Sequence, residues 1–300
     1  MWVFFALASA VLLGIYEVFK KLSVNKNAVI PVLFLSTLTS SLIFLPITIG
    51  SRYFPEFFKS IQLFVPHITL EQHELIFLKS LLVVSSWILA FFAVKNLPIT
   101  IVSPIRATGP IWTLLGAILI FGEQLNVYQW IGVIITLLFF YLLSTTGKSE
   151  GINFSTNKWV FFIVAGTFLG AASGLYDKFL MRRIDRVAVQ AWFSFYQVAI
   201  LFPILALVRW RLPKSERIPF HWRWSIPLIG LFLVLADYLY FNSLSFPESM
   251  ISIVSALRRG GVVISFAVGA LVFHEKNIPR KALYLAGILI GILLISLGSK

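Results

Sequence analysis

From Trp2 to Leu297 the chain repeats one unit: an apolar run of about twenty residues, then a short polar or basic turn. A helix needs about twenty apolar residues to cross a hydrocarbon core of roughly 30 Å. Inside that core each run must satisfy its own backbone hydrogen bonds, which a helix does. Composition agrees, because 59% of the 300 residues are hydrophobic and only 12% are charged. Soluble domains carry about twice that share of charge. The net charge of +13 is scattered in short clusters between the apolar runs, which suits loops facing anionic lipid and excludes a nucleic-acid groove. The absence of cysteine excludes disulfides and thiolate metal sites. The first run, MWVFFALASAVLLGIYEVFKK, has no charged leader and continues past any small-residue cleavage motif, so it is expected to be retained as a helix.

The pattern predicts ten spans, at about 1–19, 28–50, 75–94, 99–121, 127–145, 159–181, 188–208, 225–243, 249–273 and 282–298. The long loop 51–73 suits an amphipathic interfacial turn. Polar residues in STTGKSEGINFSTNK (144–158) mark the boundary between halves, with residues 1–148 and 159–300 as units and 149–158 as linker. Gly166, Gly170 and Gly174, spaced four apart, predict a close-packing stripe, and Gly287 and Gly291 another. Trp210, Trp222 and Trp224 suit interfacial anchors.

The halves echo each other. SPIRATG (103–109) matches SALRRGG (255–261), placing Ser103 with Ser255, Arg106 with Arg258 and Gly109 with Gly261. The match extends to Glu123 with Glu275. Near the ends of spans one and six, Gly14-Ile15-Tyr16-Glu17 matches Gly174-Leu175-Tyr176-Asp177. A repeat with an odd number of spans inserts its second copy upside down. The expected fold is therefore an all-α integral membrane protein with ten transmembrane helices, built as two inverted five-helix repeats around a central site.

Ionisable residues inside a span are costly and mark a functional pathway by default. Arg106 lies about 10 Å into its span at about 1.5 Å per residue, and Arg258 is comparably deep. Arg259 projects about 100° away from Arg258, so the two cannot both face lipid comfortably. An arginine fork matches a carboxylate or phosphate, which predicts an anionic or zwitterionic ligand. The competing reading has these arginines paired with Glu17, Asp177 or Asp237 and simply locking the bundle. Glu17, Asp177 and Asp237 are the candidates for gating or proton coupling, with local pairs to Lys20 and Lys178 as the bland alternative. Tyr16, Tyr176, Trp87, Tyr238 and Asn242 are candidate cavity-lining residues. Ser103 and Ser255 are candidates to hydrogen-bond ligand, or only their own helix. Glu123 and Glu275 are expected to cap the fifth and tenth spans.

No catalytic constellation is present. His67, His73, His221 and His274 fall in loops or at span ends, and His67 with Glu71, His73 and Glu74 reads as a solvated loop rather than a metal site. There is no nucleophile elbow and no nucleotide-binding loop, so neither an enzyme nor a self-contained primary pump is expected, and no cofactor is implied.

LPITIVSPIRATGPIWTLLGAILIFGEQLNVYQWIGVIITLLFFYLLS resembles the EamA repeat of the drug/metabolite transporter superfamily, with Pro110, Gly122-Glu123 and Gly132 at its motif positions. The second copy matches more loosely, with His274 in place of the glycine, Glu275 retained and Gly287 later in the chain. The resemblance implies a ten-helix inverted-repeat carrier with a cavity lined mainly by spans 1, 3, 4, 6, 8 and 9. Arg258-Arg259 also looks like the basic pair of the sugar-phosphate and nucleotide-sugar branches. Loop charges place both termini outside; the resemblance implies that both are cytoplasmic, and that orientation is adopted. The expected function is secondary active transport of a small polar metabolite across the plasma or inner membrane, with protons as a candidate coupling ion and the lipid bilayer as the other partner. A flippase for a phosphate-linked lipid is the runner-up. A channel or a non-transporting receptor is the rival from another class.

Overall fold

A computed structural model describes residues 2–112, 115, 126–181, 183–211, 218–246, 254, 257–273 and 275–298. The helices are α1 (Trp2–Val24), α2 (Val29–Tyr53), α3 (Pro55–Ser60), α4 (Leu70–Asn96), α5 (Ile99–Ala107), α6 (Val127–Ser149), α7 (Lys158–Met181), α8 (Arg186–Arg211), α9 (Ser225–Ser245), α10 (Gly261–Leu271) and α11 (Ile278–Gly298). Among the described residues α1, α2, α4, α7, α8, α9 and α11 are long and apolar enough to cross a membrane, and α6 carries a shorter apolar stretch, Val127–Leu143. The expected fourth and ninth spans are represented by α5 and α10, and the rest of each lies partly outside the described residues. Leu42, Ile134, Leu138, Ile290 and Leu293 are exposed in mid-helix, as lipid-facing side chains are.

Hydropathy places several helix ends too far inside, because capping residues are polar. α4 starts before residue 75, where Thr69 and Gln72 make reciprocal side-chain-to-backbone bonds of 3.3 and 2.9 Å. Asn126 and Gln129 do the same for α6, each at 3.0 Å; Glu123, expected to cap the same helix, lies outside the described residues. α6 continues through Ser149, making the first part of the expected polar linker helical. The interfacial turn is α3, with Phe54 and Phe57 exposed. Trp210, Trp222 and Trp224 are exposed, as interfacial anchors are.

The packing relates the halves. α1 lies on α9, and α4 on α7; α2 also contacts α9, and α8 also contacts α4. Matching α1 with α7, α2 with α8 and α4 with α9 turns the first contact of each pair into the second. The contacts α2–α8, α5–α10 and α6–α11 map onto themselves. Small residues permit these approaches. Gly166 lies under α4, where an added Cβ would stand 3.0 Å from the Ser86 carbonyl, and Ser86 Oγ donates to the Gly166 carbonyl at 2.7 Å. At the α6–α11 crossing a Cβ on Gly291 would stand 2.7 Å from the Gly132 carbonyl.

The two ends of the bundle differ. Where the α1–α2 turn meets the segment before α9, buried Asn27 donates to the His221 carbonyl at 2.7 Å and accepts from the His221 N–H at 2.9 Å. Lys95 adds a 2.7 Å bond to the Asn27 carbonyl, and Ser23 meets Ser225 at 2.6 Å. At the opposite end Gln72 donates to the Arg183 carbonyl and Arg186 to Gln62, both at 3.2 Å and exposed, and half-buried His73 meets Tyr196 at 2.8 Å.

Candidate functional site

The charged side chains expected inside the spans meet between the halves. Glu17, in the last two turns of α1, pairs with Arg106 of α5 and also with Lys20 at 2.6 Å. Lys20 is fully buried, with its ammonium 4.9 Å from the Tyr16 ring centre and 5.2 Å from that of Phe91. Asp177 of α7 pairs with Lys79 of α4, whose ammonium lies 4.8 Å from the Phe193 ring centre. Asp237 of α9 pairs with Arg258, whose guanidinium lies 4.0 Å from the Tyr240 ring centre.

Arg259 is the exception. It makes no ion pair or hydrogen bond among the described residues. Its guanidinium lies against Gly109, where an added Cβ would be 2.8 Å from Nη2 and 2.9 Å from Cζ. Arg259 lies within electrostatic reach of Arg106, Arg258 and Tyr240, so the three arginines form one cluster. The Nε of Arg258 is buried without a partner, although another of its nitrogens holds Asp237. A buried unsatisfied cationic donor is costly, so the cluster has spare capacity for an anion.

The other candidates divide. Tyr16 and Trp87 line a gap between α1, α2, α4 and α9, together with Ser36, Thr37, Ser40 and Phe91. The gap, about 170 Å³ and partly open, is too narrow to hold a water molecule, so it is a seam rather than a chamber for a bound metabolite. Ser103 meets Ser265 of α10 at 2.7 Å, across the halves. Tyr176 donates to the Leu75 carbonyl at 3.2 Å. Asn242 donates at 2.9 Å to the carbonyl of Tyr238, one turn back on its own helix. Tyr176, Tyr238 and Asn242 do not line the seam. Ser255 lies outside the described residues.

Two sequence expectations are corrected. Asp177 takes its cation from α4 of the other half, because buried Lys79 faces it across the α4–α7 contact. Glu275 does not cap the last helix. It accepts from the N–H groups of Ile99 and Thr100, at 2.8 and 2.9 Å, and so caps α5 of the first half. Lys79 was missed because hydropathy starts the third span at residue 75, which makes Lys79 look like a first-turn charge at the membrane edge. Its signal is its place between Leu78 and the apolar run after Ser80. Tyr240 and the hydroxyl row Ser36, Thr37 and Ser40 were also missed; a helix-period reading of α2 would have exposed the row.

Paired repeats around buried ion pairs have counterparts among known proteins. The EamA-like transporter family matches residues 1–145 and again residues 157–297. The chain belongs to the EamA-like transporter family. It is thus a membrane transporter built from two EamA repeats. No curated protein matches it. A solved crystal structure shares the fold, with a TM-score of 0.65 at 12% identity, over 99% of this chain and 96% of that one.

Proposed function

We propose that this EamA protein is a secondary carrier that moves a small anionic or zwitterionic metabolite across the plasma or inner membrane by alternating access. The observation that carries the reading is the surplus of cations in the buried charge cluster. Among the described residues Lys20, Lys79, Arg106, Arg258 and Arg259 face only Glu17, Asp177 and Asp237. Arg259 and the open Nε of Arg258 take the anionic group, and Arg106 joins them when Glu17 is held by Lys20 alone. Tyr16 and Trp87 form the neutral wall. Ser103, Tyr176, Tyr238 and Asn242 are reached by the cargo only after the seam opens, and Ser255 is assigned to the cargo as the repeat partner of Ser103. Asp237, Glu17 and Asp177 compete with the cargo for the same cations, which makes them the groups through which a proton is coupled to transport.

Unequal contacts at equivalent positions support alternating access. At Gly14 an added Cβ would press on the Gly261 carbonyl at 2.6 Å, whereas at its counterpart Gly174 none of the described residues stands within 4 Å. Exchanging these two environments between inverted halves, residues 1–148 and 159–300, moves the opening from one end to the other. Both termini are taken to be cytoplasmic.

Counterflow of a panel of labelled carboxylates, phosphates, amino acids and neutral solutes into proteoliposomes tests the reading. Saturable exchange of a charged solute, lost in Arg258→Gln, is expected. Exchange of neutral solutes alone, unchanged in Arg258→Gln, would sink it.

A further inference from the structure

A groove of about 380 Å³ lies at the start of α7, apart from the buried ion pairs. It belongs to the bundle end sealed by Asn27. Trp159 stacks on Phe92 of α4 with ring centres 6.3 Å apart, and Lys95, about one turn further along α4, donates to the Asn27 carbonyl. The groove changes character along α7. Its mouth is formed by Ser155, Thr156, Asn157 and Lys158, and its floor by Val160, Phe161 and Val164. The floor residues share one helical face, and Phe161 is exposed on a helix long and apolar enough to cross a membrane. The floor therefore meets hydrocarbon, and the mouth meets the headgroup layer. A wholly polar solute gains nothing from such a floor. A molecule with a polar head and a hydrocarbon tail matches both parts.

The mouth offers donors. Asn153 Oδ1 accepts from the Ser155 N–H at 3.2 Å and from its hydroxyl at 2.8 Å, which fixes the turn. Asn157 Oδ1 accepts from the Trp159 N–H at 2.9 Å and caps α7, so its amide nitrogen is left to donate. Neither that nitrogen nor the Thr156 hydroxyl has a hydrogen-bond partner among the described residues. Lys158 is exposed, with its ammonium 4.7 Å from the Trp159 ring centre, and makes no ion pair among the described residues. No carboxylate among them lines the groove. We propose that the groove binds an anionic phospholipid, its phosphate held by Thr156, Asn157 and Lys158 and an acyl chain laid on Val160, Phe161 and Val164. The positive end of the α7 dipole adds to the attraction. A choline headgroup brings its own cation against Lys158, so phosphatidylglycerol is favoured over phosphatidylcholine. The lipid is a resident of the fold and not the cargo, so the site stands apart from the carrier reading.

Native mass spectrometry of the full chain in detergent, titrated with phosphatidylglycerol or phosphatidylcholine, gives the affinity for the first lipid bound. Phosphatidylglycerol should bind about tenfold tighter. Lys158→Gln should remove that preference, whereas Lys26→Gln, an exposed lysine at the same end, should keep it. Phe161→Ser should weaken both lipids, and because Phe161 is exposed its melting temperature without lipid should stay at the wild-type value. Equal affinity for the two lipids, or a preference that survives Lys158→Gln, would overturn the site. An equal loss in Lys26→Gln would replace it with diffuse surface charge. Glycerol phosphate displacing phosphatidylglycerol at matching concentrations would make it a site for free phosphate esters. A dimer that forms as lipid leaves, and that Phe161→Ser breaks, would make the groove an interface between copies and overturn the lipid assignment.

Discussion

Residues 14–17 and 174–177 read Gly-Ile-Tyr-Glu and Gly-Leu-Tyr-Asp, yet the fold treats them differently. Gly14 is pressed against α10, whereas Gly174 faces open space. Tyr16 is buried in the seam, whereas Tyr176 reaches the Leu75 carbonyl and is partly exposed. Glu17 takes its cations from its own half, Lys20 and Arg106, whereas Asp177 takes Lys79 from the other. The two ends of the bundle also differ, with the buried Asn27 network at one and, at the other, exposed bonds around Gln72 beside the half-buried His73–Tyr196 bond. Duplicated sequence in unequal surroundings is the observation on which the proposed alternating access rests.

The largest effect should come from the carboxylates. Lys79→Met strips Asp177 of its ion-pair partner and should destabilise the protein by about 3–5 kcal/mol, because a buried charge is left alone. Lys20→Met should cost far less, since Glu17 keeps Arg106. Thermal melting of both variants in one detergent, with Lys79→Met/Asp177→Asn as the rescue, checks the contrast. Equal losses for the two lysines would erase the distinction between the halves.

A smaller effect should separate the glycines. Gly14→Ala forces a methyl group onto the Gly261 carbonyl and Ile264 and should cost about 1–3 kcal/mol. Gly174→Ala meets none of the described residues and should gain up to about 1 kcal/mol from helix propensity. Melting temperatures moving in opposite directions would sharpen the comparison; two equal losses would break it.

The repeats and the all-helical membrane class were legible because both depend on period and composition, which lipid constrains tightly. Arg106, Arg258, Glu17 and Asp237 were legible as buried charges for the same reason: nothing in an apolar run hides them. Their partners were not, because pairing is tertiary. Asp177 with Lys79, and Glu275 with the α5 N-terminus, join residues from different halves, and the sequence offers only neighbours such as Lys178. Lys79 was obscured by the capped, polar start of α4, which moves the helix start toward the chain's N-terminus and leaves the lysine deeper than hydropathy suggests. That Gly109 seats an arginine while Gly261 seats a helix could not be read from two matching glycines.

In the proposed cycle the two ends exchange openness, and the absence of cysteine from the chain makes a direct measurement practical. Spin labels on cysteines replacing Asn25 and Trp222 report the end sealed by Asn27, and labels replacing Ser60 and Arg183 report the other. All four positions are exposed. Distances measured with and without a transported anion should shift in opposite senses, one pair lengthening as the other shortens. A single distance at each end, indifferent to every transported solute, would contradict exchange between the halves and leave the unequal motifs as fixed features of the fold.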